Sequence, residues 1–229
     1  MQSIRLIAVA TATLAAACAV ALPSRAATAG CGIASYSYAG VSSLETRYGV
    51  GAQITAVRKP AVAKGHVAAW VGVGGSGLGP NDTSEWLQVG ISAKPGEDPA
   101  LYYEVARPNQ TPRYVMLKGH LPLGRAYNVA VLEATGHPGS WLVWVNGSKM
   151  TQRIYLPGSH GAWRPVATAE SWNGDKTGTC NAYAFRFGQV RVATKPGGSW
   201  QPLEGGRVLA DVGYRLQHES HGALLASGG

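Results

Sequence analysis

The chain has 229 residues, 45% hydrophobic and only 14% charged, with 31 Gly, 7 Trp and 10 Tyr against 2 Phe. Charged residues stand well below the usual quarter of a soluble protein and Gly at about twice its usual share, which excludes a coiled coil, a charged helical bundle and a highly charged disordered chain. Lys and Arg outnumber the acids 20 to 12, for a formal net charge of +8, and the length suits one domain with a full core.

The first segment reads as an export signal. Arg5 precedes an apolar, Ala-rich run from Leu6 to Leu22, followed by Pro23, Ser24, Arg25 and the small residues Ala27, Thr28 and Ala29. Cleavage after Ala29 is expected, giving a secreted protein of residues 30–229 with no membrane span. Loss of Arg5 and Arg25 lowers the formal charge from +8 to +6. Cys18 leaves with the signal, and Cys31 and Cys180 remain. In an exported chain they are expected to form one disulfide. It would close a loop of about 150 residues and contribute several kcal/mol by loop entropy. Lipidation of Cys18 or Cys31 is the alternative, but neither has a bulky aliphatic residue three positions earlier.

The remainder reads as all-β. Short apolar or alternating runs are separated by Gly, Pro, Asn and Asp. Strands are expected at 35–41, 48–57, 66–74, 86–92, 101–107, 113–118, 126–134, 140–146, 150–156, 164–171, 181–193, 207–216 and 221–227. Asn146-Gly147 is the clearest hairpin turn, and Lys195–Ser199 reads as a loop. So many strands at short spacing predict an antiparallel β-sandwich or jelly roll in one domain. Residues 30–64 supply N-terminal strands or a prosegment, and 195–229 return as edge strands.

Side-chain parity is the most informative pattern, because successive strand residues face opposite ways. Leu87, Val89 and Ile91 share one face, and Trp86, Gln88 and Gly90 the other. Val67, Ala69, Val71 and Val73 oppose Trp70, Gly72 and Gly74. Leu101, Tyr103 and Val105 oppose Tyr102 and Glu104. One face is aliphatic, while the other carries Trp70, Gln88, Tyr102 and Glu104 with glycines between them. Gly inside a strand marks close approach of a ligand or a backbone, so this face predicts a concave groove. In 140–146 both faces are apolar, which predicts a central strand with Trp144 in the groove or under a loop. Tyr183, Phe185 and Phe187 are expected in the core.

Other chemistries lack their residues. The six His show only His218-x-x-His221, without the carboxylate or Cys set of a zinc site, so no metal and no cofactor is expected. No nucleophile-elbow or phosphate-loop motif occurs. The positive charge is thinly spread, its densest cluster being Arg58, Lys59 and Lys64, which favours weak attraction to an anionic cell-envelope polymer over nucleic-acid recognition.

Four short words, in order, carry a family resemblance: Trp70-Val71-Gly72-Val73-Gly74-Gly75, Trp86-Leu87-Gln88-Val89-Gly90-Ile91, Leu101-Tyr102-Tyr103-Glu104-Val105 and Thr168-Ala169-Glu170-Ser171-Trp172. Together they resemble the eqolisin family of glutamic peptidases, whose fold is a concanavalin-like β-sandwich. Val105, where an aromatic is usual, and Ser171, between Glu170 and Trp172, depart from its pattern. The resemblance implies Gln88 and Glu170 as the catalytic pair. It implies a groove of Trp70, Gly72, Trp86, Tyr102, Glu104 and Trp172, and a polypeptide substrate. The pair would need neighbouring strands of one face. The alternative is a non-catalytic module, monomeric like the enzyme, that binds carbohydrate or peptide on the rings of Trp70, Trp86 and Tyr102.

Overall fold

The computed structural model describes residues 35–175 and 178–229. The export-signal segment 1–29, with Cys18, and also Cys31 lie outside these residues, so the Cys31–Cys180 pairing stays an expectation.

The first eight strands are β1 (Tyr36–Ser42), β2 (Gly49–Ala56), β3 (His66–Gly75), β4 (Glu85–Ala93), β5 (Ala100–Ala106), β6 (Arg113–Lys118), β7 (Ala126–Glu133) and β8 (Ser140–Val145). The rest are β9 (Ser148–Lys149), β10 (Ile154–Tyr155), β11 (Val166–Trp172), β12 (Tyr183–Lys195), β13 (Gly198–Pro202), β14 (Arg207–Ala210), β15 (Tyr214–His218) and β16 (Leu224–Gly228). They build two antiparallel sheets. One runs β14-β1-β11-β3-β4-β5-β6, and the other β10-β8-β7-β2-β12-β16-β15, with β13 beside β12 and β9 beside β8. The chain is a β-sandwich, as its short alternating runs predict.

Alternation builds the core. The inward sets Val67, Ala69, Val71 and Val73 of β3, Leu87, Val89 and Ile91 of β4, and Ala167 and Ala169 of β11 are buried. They face Val50 and Ile54 of β2, Val129 and Val131 of β7, Trp141 and Val143 of β8, and Tyr183, Phe185 and Phe187 of β12. Each large side chain contributes about 1.5–3 kcal/mol by leaving water. β1 and β2 are interior strands, so residues 36–56 are part of the sandwich itself.

The structure corrects several sequence expectations. The single strand expected at 150–156 is two short pieces, β9 and β10. The stretch 207–216 breaks at Asp211–Gly213, where Gly213 takes φ 89 and the Tyr214 amide donates to the Asp211 carbonyl. That turn sends β14 to one sheet and β15 to the other. Residues 220–222 form a single 3-10 turn with His221 at φ 59, and the strand begins at Leu224. Lys195–Ser199 is a tight hairpin, with Lys195 opposite Gly198, and opens the unexpected β13. β14 and β15 are edge strands, but β16 lies between β12 and β15. β8 lies next to the two-residue β10, not at the centre of its sheet. Trp144 therefore belongs to the sheet without the groove. Asn146-Gly147 does turn a two-residue hairpin, with both φ values positive and Val145 opposite Ser148. Among the described residues no helix is long and apolar enough to cross a membrane.

Among the described residues one buried acid has no hydrogen-bond partner. Glu85, at the start of β4, shares the face of Leu87, has no exposed surface, and neither carboxyl oxygen has a hydrogen-bond partner. Burial pushes its carboxyl up from the ordinary 4.5 to about 7, against the opposing charge of Arg107. A raised folded-state value means that the folded chain keeps a proton that the unfolded chain releases. Stability is then full below about pH 4.5 and is lost as pH rises through about 7. Glu85→Gln is expected to raise urea-unfolding stability at about pH 8, with the difference vanishing at about pH 4.

Candidate active site

The outward face of the first sheet carries the groove residues in rows across the strands. Gly72, Gln88 and Glu104 stand opposite one another in one row. Gly40, Thr168, Trp70, Gly90 and Tyr102 form the next. Tyr38, Glu170, Ala68 and Ser92 form the third, and Tyr36, Trp172 and His66 the last.

Small residues let these rows share one space. A Cβ at Gly72 would stand 2.9 Å from the Gln88 Cβ. A Cβ at Gly90 would overlap the Ala69 carbonyl oxygen, and one at Gly40 the Ala167 carbonyl oxygen. The neighbouring backbones therefore fold over the face at both glycines.

Gln88 and Glu170 do not stand on neighbouring strands, because β3 runs between β4 and β11. The adjacency expected from sequence is thus not met. What joins them is space: both open on a cavity of about 410 Å³ and an adjoining one of about 200 Å³. Gly72 and Ala68, the β3 residues opposite them, are too small to fill the gap.

Glu170 is 6% exposed, and both its oxygens are engaged. Oε2 accepts from Trp70 Nε1 at 3.0 Å, and Oε1 lies 3.0 Å from His66 Nε2. Gln88 is 8% exposed and donates from Nε2 to the Tyr102 hydroxyl at 3.1 Å. An amide nitrogen has two hydrogens, so one remains for another acceptor. Glu104 accepts from Trp86 Nε1 at 3.0 Å. Burial, then the Glu170 charge, raises the Glu104 carboxyl, against the Trp86 hydrogen bond and the His66 charge.

The remaining expected residues divide. Tyr102 is only 2% exposed and stacked on Tyr114 at 5.0 Å, so it is a sealed support for Gln88 rather than a surface for a ligand. Burial and the charges of Glu170 and Glu104 hold its hydroxyl neutral, far above the ordinary 10.0. Trp172 faces the groove side, donates to Asp175 Oδ1 at 3.2 Å, and stacks on Tyr36 at 6.2 Å. Three residues went unnamed by sequence reasoning. Tyr36, Tyr38 and His66 line the cavity. Extending the 66–74 parity by one step puts His66 on the Trp70 face. The places of Tyr36 and Tyr38 depend on β1 pairing with β11, more than a hundred residues away. Burial is the main cause that raises both hydroxyls.

Among the described residues no group of three or more His, Cys, Asp or Glu could hold a metal ion. A larger cavity of about 710 Å³ lies among β12, β13 and the 203–206 loop. It does not unite an amide and a buried carboxylate with donors aimed at them, so convergent chemistry, not volume, singles out the groove.

No family model matches the chain, and no curated protein sequence matches it. Solved structures do. Scytalido-glutamic peptidase with a peptide-based transition-state analog aligns at TM-score 0.59 and 14% identity, over 84% of this chain and 98% of that one. SCP-B, a member of the eqolisin family of peptidases in complex with the tripeptide Ala-Ile-His, aligns at TM-score 0.58 and 14% identity with the same coverage. The fold is a distant eqolisin-like β-sandwich.

Two outcomes check this geometry. Trp86→Phe removes the hydrogen bond that lowers Glu104, so its side-chain carbon should titrate at higher pH by NMR than in the native protein. Gly90→Ala should cost roughly 1–3 kcal/mol in urea unfolding, because β3 must move to admit the methyl group.

Proposed function

We propose that this protein is a secreted glutamic-type endopeptidase that cleaves polypeptides with Gln88 and Glu170. The observation that carries the reading is the shared cavity. A buried carboxyl group that accepts from Trp70 and lies against His66, and an amide with a spare hydrogen, open on the same space. The similar solved structures include complexes with a peptide-based analog and a tripeptide, and their fold supports the same reading here.

In the proposed reaction Glu170 takes a proton from water as the water oxygen attacks the scissile carbonyl carbon. The carbonyl oxygen becomes an oxyanion and accepts the free Gln88 N–H. Such a donor contributes roughly 3–4 kcal/mol to the transition state in comparable sites. When the tetrahedral intermediate collapses, the C–N bond breaks and Glu170 returns its proton to the leaving amine. Tyr102 stays protonated and fixes the Gln88 amide. Secretion and the Cys31–Cys180 staple belong to this proposal. So does polypeptide as the substrate.

The carbohydrate-stacking alternative is less well served. It needs open ring faces, and of its three rings Tyr102 is sealed.

Hydrolysis of an unstructured protein between about pH 2 and 7 tests the proposal. Native protein is expected to cleave it. Gln88→Ala should lower kcat by about 10²–10³, and Glu170→Gln should abolish turnover, with circular dichroism confirming that both variants fold. Equal rates for native protein and Glu170→Gln would overturn the mechanism.

A further inference from the structure

The mechanism above uses Glu170 and leaves His66 without a role, yet His66 holds half of that carboxylate. The indole of Trp70 can only donate, so Glu170 Oε2 is an acceptor in that bond. The other contact has no fixed direction. His66 Nε2 either donates to the Oε1 of a carboxylate or accepts from a protonated Oε1. One proton placed between them therefore belongs to both residues.

The surroundings hold the contact in place. The imidazole is edge-on to Tyr36 at 6.3 Å and tilted against Trp172 at 5.5 Å. It is partly exposed, whereas Glu170 is nearly sealed. The other ionisable groups on this side are few. From β1 come the hydroxyls of Tyr36 and Tyr38, both raised by burial and so neutral. From β5 come Glu104, whose carboxyl feels the His66 charge, and the neutral Tyr102 hydroxyl. Lys94, beyond β4, lines the adjoining cavity, and Asp175, beyond β11, holds the Trp172 indole. None of these has a hydrogen bond to Glu170. His66 is thus the one basic side chain in direct contact with the Glu170 carboxyl group among the described residues.

Ordinary imidazole and glutamate titrate about two pH units apart, near 6.5 and 4.3. With the proton on the ring the pair is an imidazolium facing a carboxylate, and with it on Oε1 a neutral imidazole facing a carboxylic acid. The sign follows directly. A positive imidazolium favours the ionised carboxylate, and the carboxylate favours the protonated imidazole.

We propose that His66 is the positioning residue for Glu170: without touching substrate, its imidazolium keeps the carboxylate ionised and aimed into the cavity on the acid side of the working range. The kinetic part rests on the peptidase reading, while the pairing itself does not.

The test has two arms. In the first, the His66 ring is followed by NMR titration in native protein and in Glu170→Gln. Its protonation midpoint should fall when the carboxylate is lost, because the ring loses the partner that favours its charged form. In Glu170→Gln an unmoved midpoint overturns the proposal, and this arm needs no activity. The second arm measures the pH profile of peptide hydrolysis for His66→Gln, which keeps an N–H donor for Oε1 but has no charge. Its acid limb should move to higher pH. Loss of activity by the same factor at every pH, with the limb unmoved, would mean a merely structural His66 and overturn the proposal. If Glu170→Gln does not fold, the Glu170 side-chain carbon is titrated in His66→Gln instead, with an upward shift expected and no shift overturning. Should native protein cleave nothing, the peptidase reading fails, and the NMR arm still decides the pairing.

Discussion

The groove depends on how closely β4 lies against β3 and β1 against β11. Antiparallel partners usually separate their side chains by a regular spacing set by backbone hydrogen bonds. Here that spacing leaves no room for a side chain at Gly90 or Gly40, because the neighbouring backbone lies where the Cβ would be. Gly72 leaves room for Gln88, and Ala68 stands opposite Glu170. Two polar groups on non-adjacent strands can share one cavity only because the strand between them presents so little bulk. A larger residue at Gly72 or Ala68 would intrude on the space in which chemistry is proposed, and one at Gly90 or Gly40 would push the neighbouring strand away.

The same closeness creates an electrostatic problem, which the tryptophans solve. Two carboxylates and an amide sit on a face with little access to water, where an unpartnered charge is costly. Each carboxylate receives an indole N–H: Trp70 serves Glu170 and Trp86 serves Glu104. The indoles of Trp70 and Trp86 thus serve as donors to a buried acid, Glu170, and a half-buried one, Glu104. Glu133, in the other sheet, shows the same rule, since it has no exposed surface but accepts from the Gly139 amide and contacts His160. Glu85 breaks the rule, and its titration moves accordingly.

The structural likeness to glutamic peptidases supports these readings at the level of fold, because only about one residue in seven is shared. Function is argued from the site. The residue words that resemble the family and the cavity lined by Gln88 and Glu170 are separate observations. His66 extends the site in a direction that the quoted words do not contain.

By itself the sequence determined the fold class and the facing of the groove residues on β3, β4 and β5. Alternation with a period of two is a local property, so Gln88, Trp70 and Glu104 could be assigned to one face from β4, β3 and β5 alone. The Asn146-Gly147 hairpin was legible for the same reason, since a two-residue turn needs only its own backbone preferences. Tertiary structure decided what long-range pairing decides. The sequence does not show that β11 joins β3 rather than β4, that the 211–213 turn divides the C-terminal strands between the sheets, or that β1 brings Tyr36 and Tyr38 to the groove. It also does not show that Tyr102 is sealed while His66 reaches Glu170. Those facts depend on register between segments as much as a hundred residues apart, where a shift of one residue would turn every side chain to the other face.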